Sequence, residues 1–395
     1  MDWNSLWDVL TRDGVGGQLL RGVQAFYQGA NACVKIGGSV SGLFGLKAGV
    51  RQGCVMSPWL FNVYMDGVIR EMKAKSGGLG AKLEKGSECW RMITSLFADD
   101  TVLLAETEKE LQRLVNEFYS VCERRKLRVN GGKSKVMVFE RRTNEVIDFN
   151  RQYRVRREAE LDCNIVMGGE VLEEVREFKY LGSVLCKYGS MEGEVRERAV
   201  KGRQVIGTLG RILKCRTMNA EVKKGLRDSI VLPTLTYGCE TWTWNEGQQR
   251  RIQTVEMRYL RSACNITRWD GESNDRVYER FGMEKKGLGI NCGVVEWIKR
   301  NTLRWFGHME RMPETELTKK VYGSDANGVA PRGRPSMKWT GMIEKYVRDI
   351  RGGRATAMDD IKRMCLDRDA WRRVCRGHPL EGSSRRERGV RAIDR

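Results

Sequence analysis

Residues 95–106 read SLFADDTVLLAE, two strand-type apolar runs separated by an adjacent pair of aspartates, Asp99 and Asp100. A continuous strand would carry both charges into an apolar face and its neighbour, so the chain is expected to turn here. The spacing predicts one strand over 92–98 and another over 101–105, with the carboxylates at the tip of the hairpin. Side chains alternate along a strand, which places Ile93, Ser95, Phe97 and Asp99 on one face. Two readings of the tip follow. Aspartate is an ordinary turn residue, so the pair can be a solvated turn. Alternatively, two carboxylates held this close repel unless cations neutralise them. Magnesium takes oxygen ligands and shares them with substrate phosphates, the arrangement of a two-metal phosphoryl-transfer site.

The charge balance bears on that choice. The chain has 395 residues, with 71 Lys and Arg against 51 Asp and Glu, a net charge of +20. Such an excess favours a polyanionic partner, nucleic acid above all, over a merely solubilising role. No apolar run approaches the length of a membrane span, and the start, MDWNSLWDVL, lacks the basic-then-apolar order of a secretory signal. The twelve cysteines stand singly with no CxxC, which points to reduced, buried thiols rather than disulfides. With only His308 and His378, neither a histidine dyad nor a His-rich zinc site is expected.

Along the chain, helical periodicity runs from Asn4 to about Gln28, broken at Gly14, Gly16 and Gly17. Short strands over 32–36 and 43–46 surround a Gly37–Gly38 turn. Ser57 is placed to cap a helix with Pro58 at its first position, and that helix runs to about Met72. A second amphipathic helix covers 106–126. Short strands are expected at 136–139, 165–167 and 170–172, and sheet character continues over 178–185. After Ser190 the pattern is helical, over 191–213, 219–231, onward to about His308, and again over 337–375. A Gly, Pro and Ser-containing linker occupies 322–336, and a basic tail ends RRERGVRAIDR.

Four motifs occur in order: RQGCVMSP at 51–58, FADD at 97–100, LRVNGGKSKVMVF at 127–139 and FKYLGS at 178–183. Together they resemble the reverse transcriptases of non-LTR (LINE-type) retrotransposons, over a stretch from residue 1 to at least WRRV at 371–374. The resemblance implies an α+β fold: a partial right-hand polymerase palm, an antiparallel sheet with helices, then a helical thumb and a basic helical C-terminal region. The implied divisions are a palm over 1–140, a hairpin or primer-grip region over 141–189, a thumb and connection over 190–321, the linker, and a basic region over 337–395. It implies RNA-templated addition of deoxynucleoside triphosphates to the 3′-hydroxyl of a DNA primer, with Mg²⁺, inside a nuclear or cytoplasmic ribonucleoprotein and away from membranes.

The residue roles it implies are these. Asp99 and Asp100 resemble the metal-binding carboxylates, with Phe97 against the primer end. Arg51, Gln52 and Gly53 resemble the loop that meets template and incoming nucleotide, where a glycine lets backbone approach a substrate closely; the plain alternative is a polar loop leading into a helix. Lys133 resembles the lysine beside the triphosphate, with Lys135 as the competing choice and a solvated loop lysine as the plain one. Phe178, Tyr180, Leu181 and Gly182 resemble a primer-grip turn, a role compatible with an ordinary buried hairpin.

The resemblance also implies a third carboxylate, on a strand ending AYD ahead of a segment like DWNSLWDVL. Here that segment is residues 2–10, and Asp2 precedes a helix rather than following a strand, where it is expected to favour the helix N-terminus. The expectation is therefore an N-terminally truncated region that holds metal poorly and is inactive in isolation. The alternative is a catalytically dead nucleic-acid-binding remnant or domesticated protein.

Three C-terminal features complete the reading. PRGRP at 331–335 offers Arg332 and Arg334 either to a narrow A·T minor groove or simply to a flexible basic linker. Cys365, Cys375 and His378 match no common zinc spacing, so no metal is expected there. Trp305, Trp339 and Trp371 can stack on bases, but their helical spacing favours core packing.

Overall fold

The computed structural model describes residues 1–139, 163–215, 217–283, 292–324 and 337–377. Arg332, Arg334 and His378 lie outside the described residues, as do most of the 322–336 segment and the basic tail. Contacts divide the chain into two units. Among the described residues, the first comprises Met1–Val138, 163–175 and Ser324, and the second comprises Phe139, those within Arg176–Gly323, and 337–377.

The first unit is built on four helices: α1 (Trp3–Arg12), α2 (Gly17–Tyr27), α3 (Ser57–Lys75) and α4 (Glu108–Arg124). Leu6, Val9 and Leu10 on α1, Tyr64, Val68 and Met72 on α3, and Phe118, Val121 and Cys122 on α4 form its main core. Their three- and four-residue spacing is what turns one stripe of each helix inward. Asp2 caps α1, accepting the Ser5 N–H at 3.1 Å, as expected for a residue that precedes a helix. Thr107 caps α4 through the Glu110 N–H at 3.2 Å. The expected Ser57 cap does not form. Met56 occupies the cap position without a side-chain bond, while Ser57 is buried with its hydroxyl 3.3 Å from the Tyr27 hydroxyl.

The strands of this unit are short: β1 (Asn31–Ala32), β2 (Lys35–Ile36), β3 (Ser39–Val40), β4 (Phe44–Gly45), β5 (Ala81–Lys85), β6 (Glu88–Met92), β7 (Thr94–Phe97), β8 (Asp100–Leu103), β9 (Lys135–Val136), β10 (Val166–Met167), β11 (Glu170–Val171) and β12 (Glu173–Glu174). The Gly37–Gly38 turn is present, but β2 pairs across it with β3, and the outer pair β1–β4 encloses that hairpin. All ladders among the described residues are two-stranded, and only β9–β12 is parallel. The fold is mixed helix and strand, with small ladders in place of one broad sheet.

The second unit opens with the hairpin β13 (Glu177–Tyr180) and β14 (Ser183–Cys186) and is otherwise helical: α5 (Glu192–Leu213), α6 (Ala220–Leu226), α7 (Leu232–Thr236), α8 (Glu246–Ala263), α9 (Asn274–Arg280), α10 (Val294–Glu310), α11 (Leu317–Gly323), α12 (Trp339–Ile350), α13 (Met358–Leu366) and α14 (Arg368–Cys375). A single π-helical turn, Arg227–Val231, joins α6 to α7. Ile252, Tyr259, Ile298, Leu303, Phe306 and Ile343 belong to one core. A buried ion pair crosses it: the Arg227 guanidinium meets Glu256 Oε1 at 2.5 Å, and Glu256 Oε2 accepts from the Tyr278 hydroxyl at 2.8 Å and the Val294 N–H at 2.9 Å. With each carboxylate oxygen satisfied, the charge is tolerated in the interior.

Candidate active site and nucleic-acid interface

The hairpin over the FADD motif forms with Phe97 opposite Asp100, so the two-residue tip is Ala98–Asp99 and Asp100 is the first residue of the returning strand. The expected tip of Asp99 and Asp100 together is thus shifted by one residue. Ala98 sits at φ 52°. A two-residue hairpin turn favours positive φ because it matches the twist of the strands it joins, and glycine is the usual occupant. Both aspartates are exposed, and Phe97 beside them is 61% exposed. The tip therefore presents two carboxylates and an aromatic face to solvent. Among the described residues no group of three or more His, Cys, Asp or Glu side chains could hold a metal ion.

Arg51, Gln52 and Gly53 form the loop before α3. Arg51 donates to the Phe26 carbonyl at 2.9 Å, and its guanidinium lies 4.2 Å above the Phe26 ring. Both contacts anchor it to the end of α2. Gln52 is exposed, and Gly53 has φ 79° with open space where a Cβ would stand. Glycine is needed there for its backbone angle rather than for crowding. Cys54 follows, its thiol pulled down by hydrogen bonds from the Ser57 side chain and then its backbone.

NGGKSK forms a 3-10 turn, Gly131–Lys133, capped by the Asn130 side chain, which accepts the Lys133 N–H at 3.2 Å. The two lysines part here. Lys135 is ion-paired to Glu173 at 2.6 Å, whereas Lys133 is exposed with no acidic partner among the described residues. A lysine already neutralised by a neighbour has less charge to offer an anion.

In the second unit, β13 and β14 pair with Tyr180 opposite Ser183, leaving Leu181 and Gly182 as the turn at φ 48° and 84°. Positive φ at both positions is the primed hairpin geometry. The turn is held from behind. The Leu181 carbonyl accepts from the Tyr237 hydroxyl at 2.8 Å, and the Gly182 carbonyl accepts from the Arg198 guanidinium. Arg198 is itself held at 2.6 Å by buried Glu194, whose other oxygen takes the Val184 N–H at 2.6 Å, and it lies 4.9 Å over the Tyr237 ring. Phe178 and Tyr180 are half-buried, the Tyr180 hydroxyl without a partner among the described residues. Leu181 remains 37% exposed at the tip.

A sequence model of the reverse transcriptase (RNA-dependent DNA polymerase) family matches residues 2–185. That span contains all four motifs. Residues 2–185 are a reverse-transcriptase domain of the LINE type. The chain is also similar to several curated proteins, among them the following three. A transposon-derived protein of Caenorhabditis elegans is 26% identical over 293 residues, 72% of this chain and 96% of that protein. The retrovirus-related Pol polyprotein from a type-1 retrotransposable element R2 of Nasonia vitripennis is 26% identical over 47% of this chain, and the RNA-directed DNA polymerase from mobile element jockey of Drosophila funebris is 23% identical over 57%. The chain spans nearly all of the first of these but only 18% and 22% of the other two. The first alignment is longer than the family match, so likeness continues past residue 185 into the helices of the second unit.

The reverse-transcriptase domain runs into the second unit at Arg176, so Asp99, Arg51 and Lys133 belong to one unit and Phe178–Gly182 to the other. Sequence reasoning missed Glu194, Arg198 and Tyr237. Nothing in their local spacing links them to a turn as many as 56 residues away; their tertiary contacts alone reveal them. Of the three tryptophans singled out, Trp371 and Trp339 are used in the core. Trp371 Nε1 donates to the Leu303 carbonyl and Trp339 Nε1 to the Glu240 carbonyl, both at 2.9 Å. Trp305 lies against His308, ring centroids 5.4 Å apart. Cys365 and Cys375 are buried, and burial raises both thiols, Cys375 to about 12.

Proposed function

We propose that this chain is the palm and primer-contacting region of an RNA-directed DNA polymerase that adds deoxynucleotides to a 3′-hydroxyl primer by two-metal phosphoryl transfer. We further propose that, alone, it binds primer–template without extending it. The observation that carries this reading is the exposed Ala98–Asp99 tip, which offers two adjacent carboxylates without a third acid to complete a group of three among the described residues. Carboxylate oxygens are the donors magnesium takes, so Asp99 and Asp100 suit the ion. When bound with a triphosphate, magnesium would neutralise charge on the phosphoryl group. Lys133, without an acidic partner among the described residues, is suited to the triphosphate's own charge. Arg51 and the open backbone at Gly53 suit template and nucleotide, and the pinned Leu181–Gly182 turn suits the primer strand. Phosphoryl transfer depends on positioning and charge, and a site short of one ligand fails at both.

Primer extension on an RNA template with magnesium, run beside Asp99→Asn and Asp100→Asn, tests this. No extension, with salt-sensitive primer–template binding retained in all three proteins, is the expected result. Extension that either substitution abolishes would keep the aspartates in their role and overturn the incompleteness.

A further inference from the structure

Trp269 is 96% exposed, in the loop between α8 and α9. Trp242, Trp244 and Trp371, in the core of the same unit, are 2–4% exposed. Leaving such a side chain in water forgoes the burial of about 150–250 Å², and its isolation is not the result of a slack loop. Asn265 leaves α8 at φ 55°, and Ile266 turns inward, 7% exposed, with its N–H on the Arg261 carbonyl at 2.8 Å. The Thr267 N–H and hydroxyl both donate to Asp270 Oδ2, at 2.6 and 2.9 Å, closing the turn under Trp269. Beyond it, the Arg261 guanidinium holds the Glu272 carbonyl at 3.0 Å and Asn274 Oδ1 at 2.9 Å. The backbone that carries the indole is thus braced on both sides. Next to it, Arg268 is exposed with no acidic partner among the described residues.

We propose that Trp269 is a stacking platform for an unpaired base of single-stranded nucleic acid, with Arg268 on an adjacent phosphate. An exposed aromatic face accepts any base, and a preset turn spares the ordering cost that a mobile loop would incur on binding. The choice of nucleic acid over an apolar protein surface rests on charge. Arg268 flanks the ring with no ion-pair partner among the described residues, and the chain carries a net charge of +20. This site lies outside the family match and does not depend on polymerase chemistry.

The test is fluorescence anisotropy of the full chain and its Trp269→Ala, Trp269→Phe and Arg268→Ala variants. The probes are a short oligouridylate and a blunt DNA duplex. Trp269→Ala is expected to weaken oligouridylate binding about fivefold or more while changing duplex binding less than about twofold. Trp269→Phe keeps most of the affinity, and Arg268→Ala lowers the salt slope on oligouridylate by about one. Because Trp269 makes no core contact, the unfolding midpoint of Trp269→Ala should match the parent. Unchanged oligouridylate binding in Trp269→Ala overturns the proposal. So does an equal loss on both probes, or a Trp269-dependent dimer in sedimentation with oligouridylate binding intact. Primer–template binding retained in any of these cases would leave the polymerase reading standing while this one falls.

Discussion

Ala98 and Leu181 adopt left-handed backbone angles, φ 52° and 48°, that cost an L residue about 1–2 kcal/mol and would cost glycine nothing. Both sit at the tips of hairpins that the motif pattern singles out, and strained angles concentrate where a fold presents side chains for use. The FADD letters disclose the tip but not its strain, because backbone angle follows from the register of β7 on β8. Asp2 is the complementary case, a residue whose sequence position is a sound guide to its use. Its carboxylate is held below the ordinary value, first by the Ser5 N–H, against some desolvation, and also by the Ser5 hydroxyl and Lys126. A depressed folded value means the cap's ionic contribution is present above the unfolded value of 3.8 and is lost as pH falls through the folded one. Urea denaturation at pH 6 and pH 3 should therefore find a smaller acid loss in Asp2→Asn than in the parent, since asparagine caps without titrating. Equal acid loss in the two proteins would remove Asp2 from the account.

At the scale of elements, amphipathic helices are the most legible part of this chain. The expected helices over 106–126 and 191–213 are observed as α4 (Glu108–Arg124) and α5 (Glu192–Leu213), because a 3.6-residue stripe of large apolar side chains has few other uses. The β5–β6 hairpin has no such signature. Lys82, Glu84, Glu88 and Arg91 occupy it, and its strands are partly exposed. Lys82 stands opposite Arg91 and Glu84 opposite Cys89, so pairing there is a matter of backbone hydrogen bonding rather than apolar alternation. Close approach between helices is also invisible in sequence. On α10, a Cβ at Gly307 would overlap the Trp371 indole of α14. Gly307→Ala should destabilise the protein by about 1–3 kcal/mol, the usual cost of overpacking a filled core, despite alanine's better helix propensity. Chemical denaturation reads this directly, and a stability equal to the parent's would mean the indole has room to shift.

For the whole molecule, the dominant quantity is charge. An excess of 20 positive charges over 395 residues should make nucleic-acid binding strongly salt-dependent, with a log–log slope near −0.9 for each duplex phosphate contacted. Raising salt about fourfold should weaken primer–template binding at least about tenfold. A flat salt response would contradict any role on polyanions. Among the described residues no helix is long and apolar enough to cross a membrane.

The sequence by itself determined the order of the motifs, the reverse-transcriptase family of residues 2–185, most helices and the hairpin at FADD. Each of these is local: a period, a turn or a short run of letters. Only the tertiary structure decided that Lys135 is paired while Lys133 has no acidic partner among the described residues, that Glu194, Arg198 and Tyr237 pin the Leu181–Gly182 turn, and that Trp371 is buried while Trp269 is bare. Those facts depend on which distant side chain arrives at a given carbonyl, carboxylate or ring. That choice is made by packing between elements, and no local pattern encodes it.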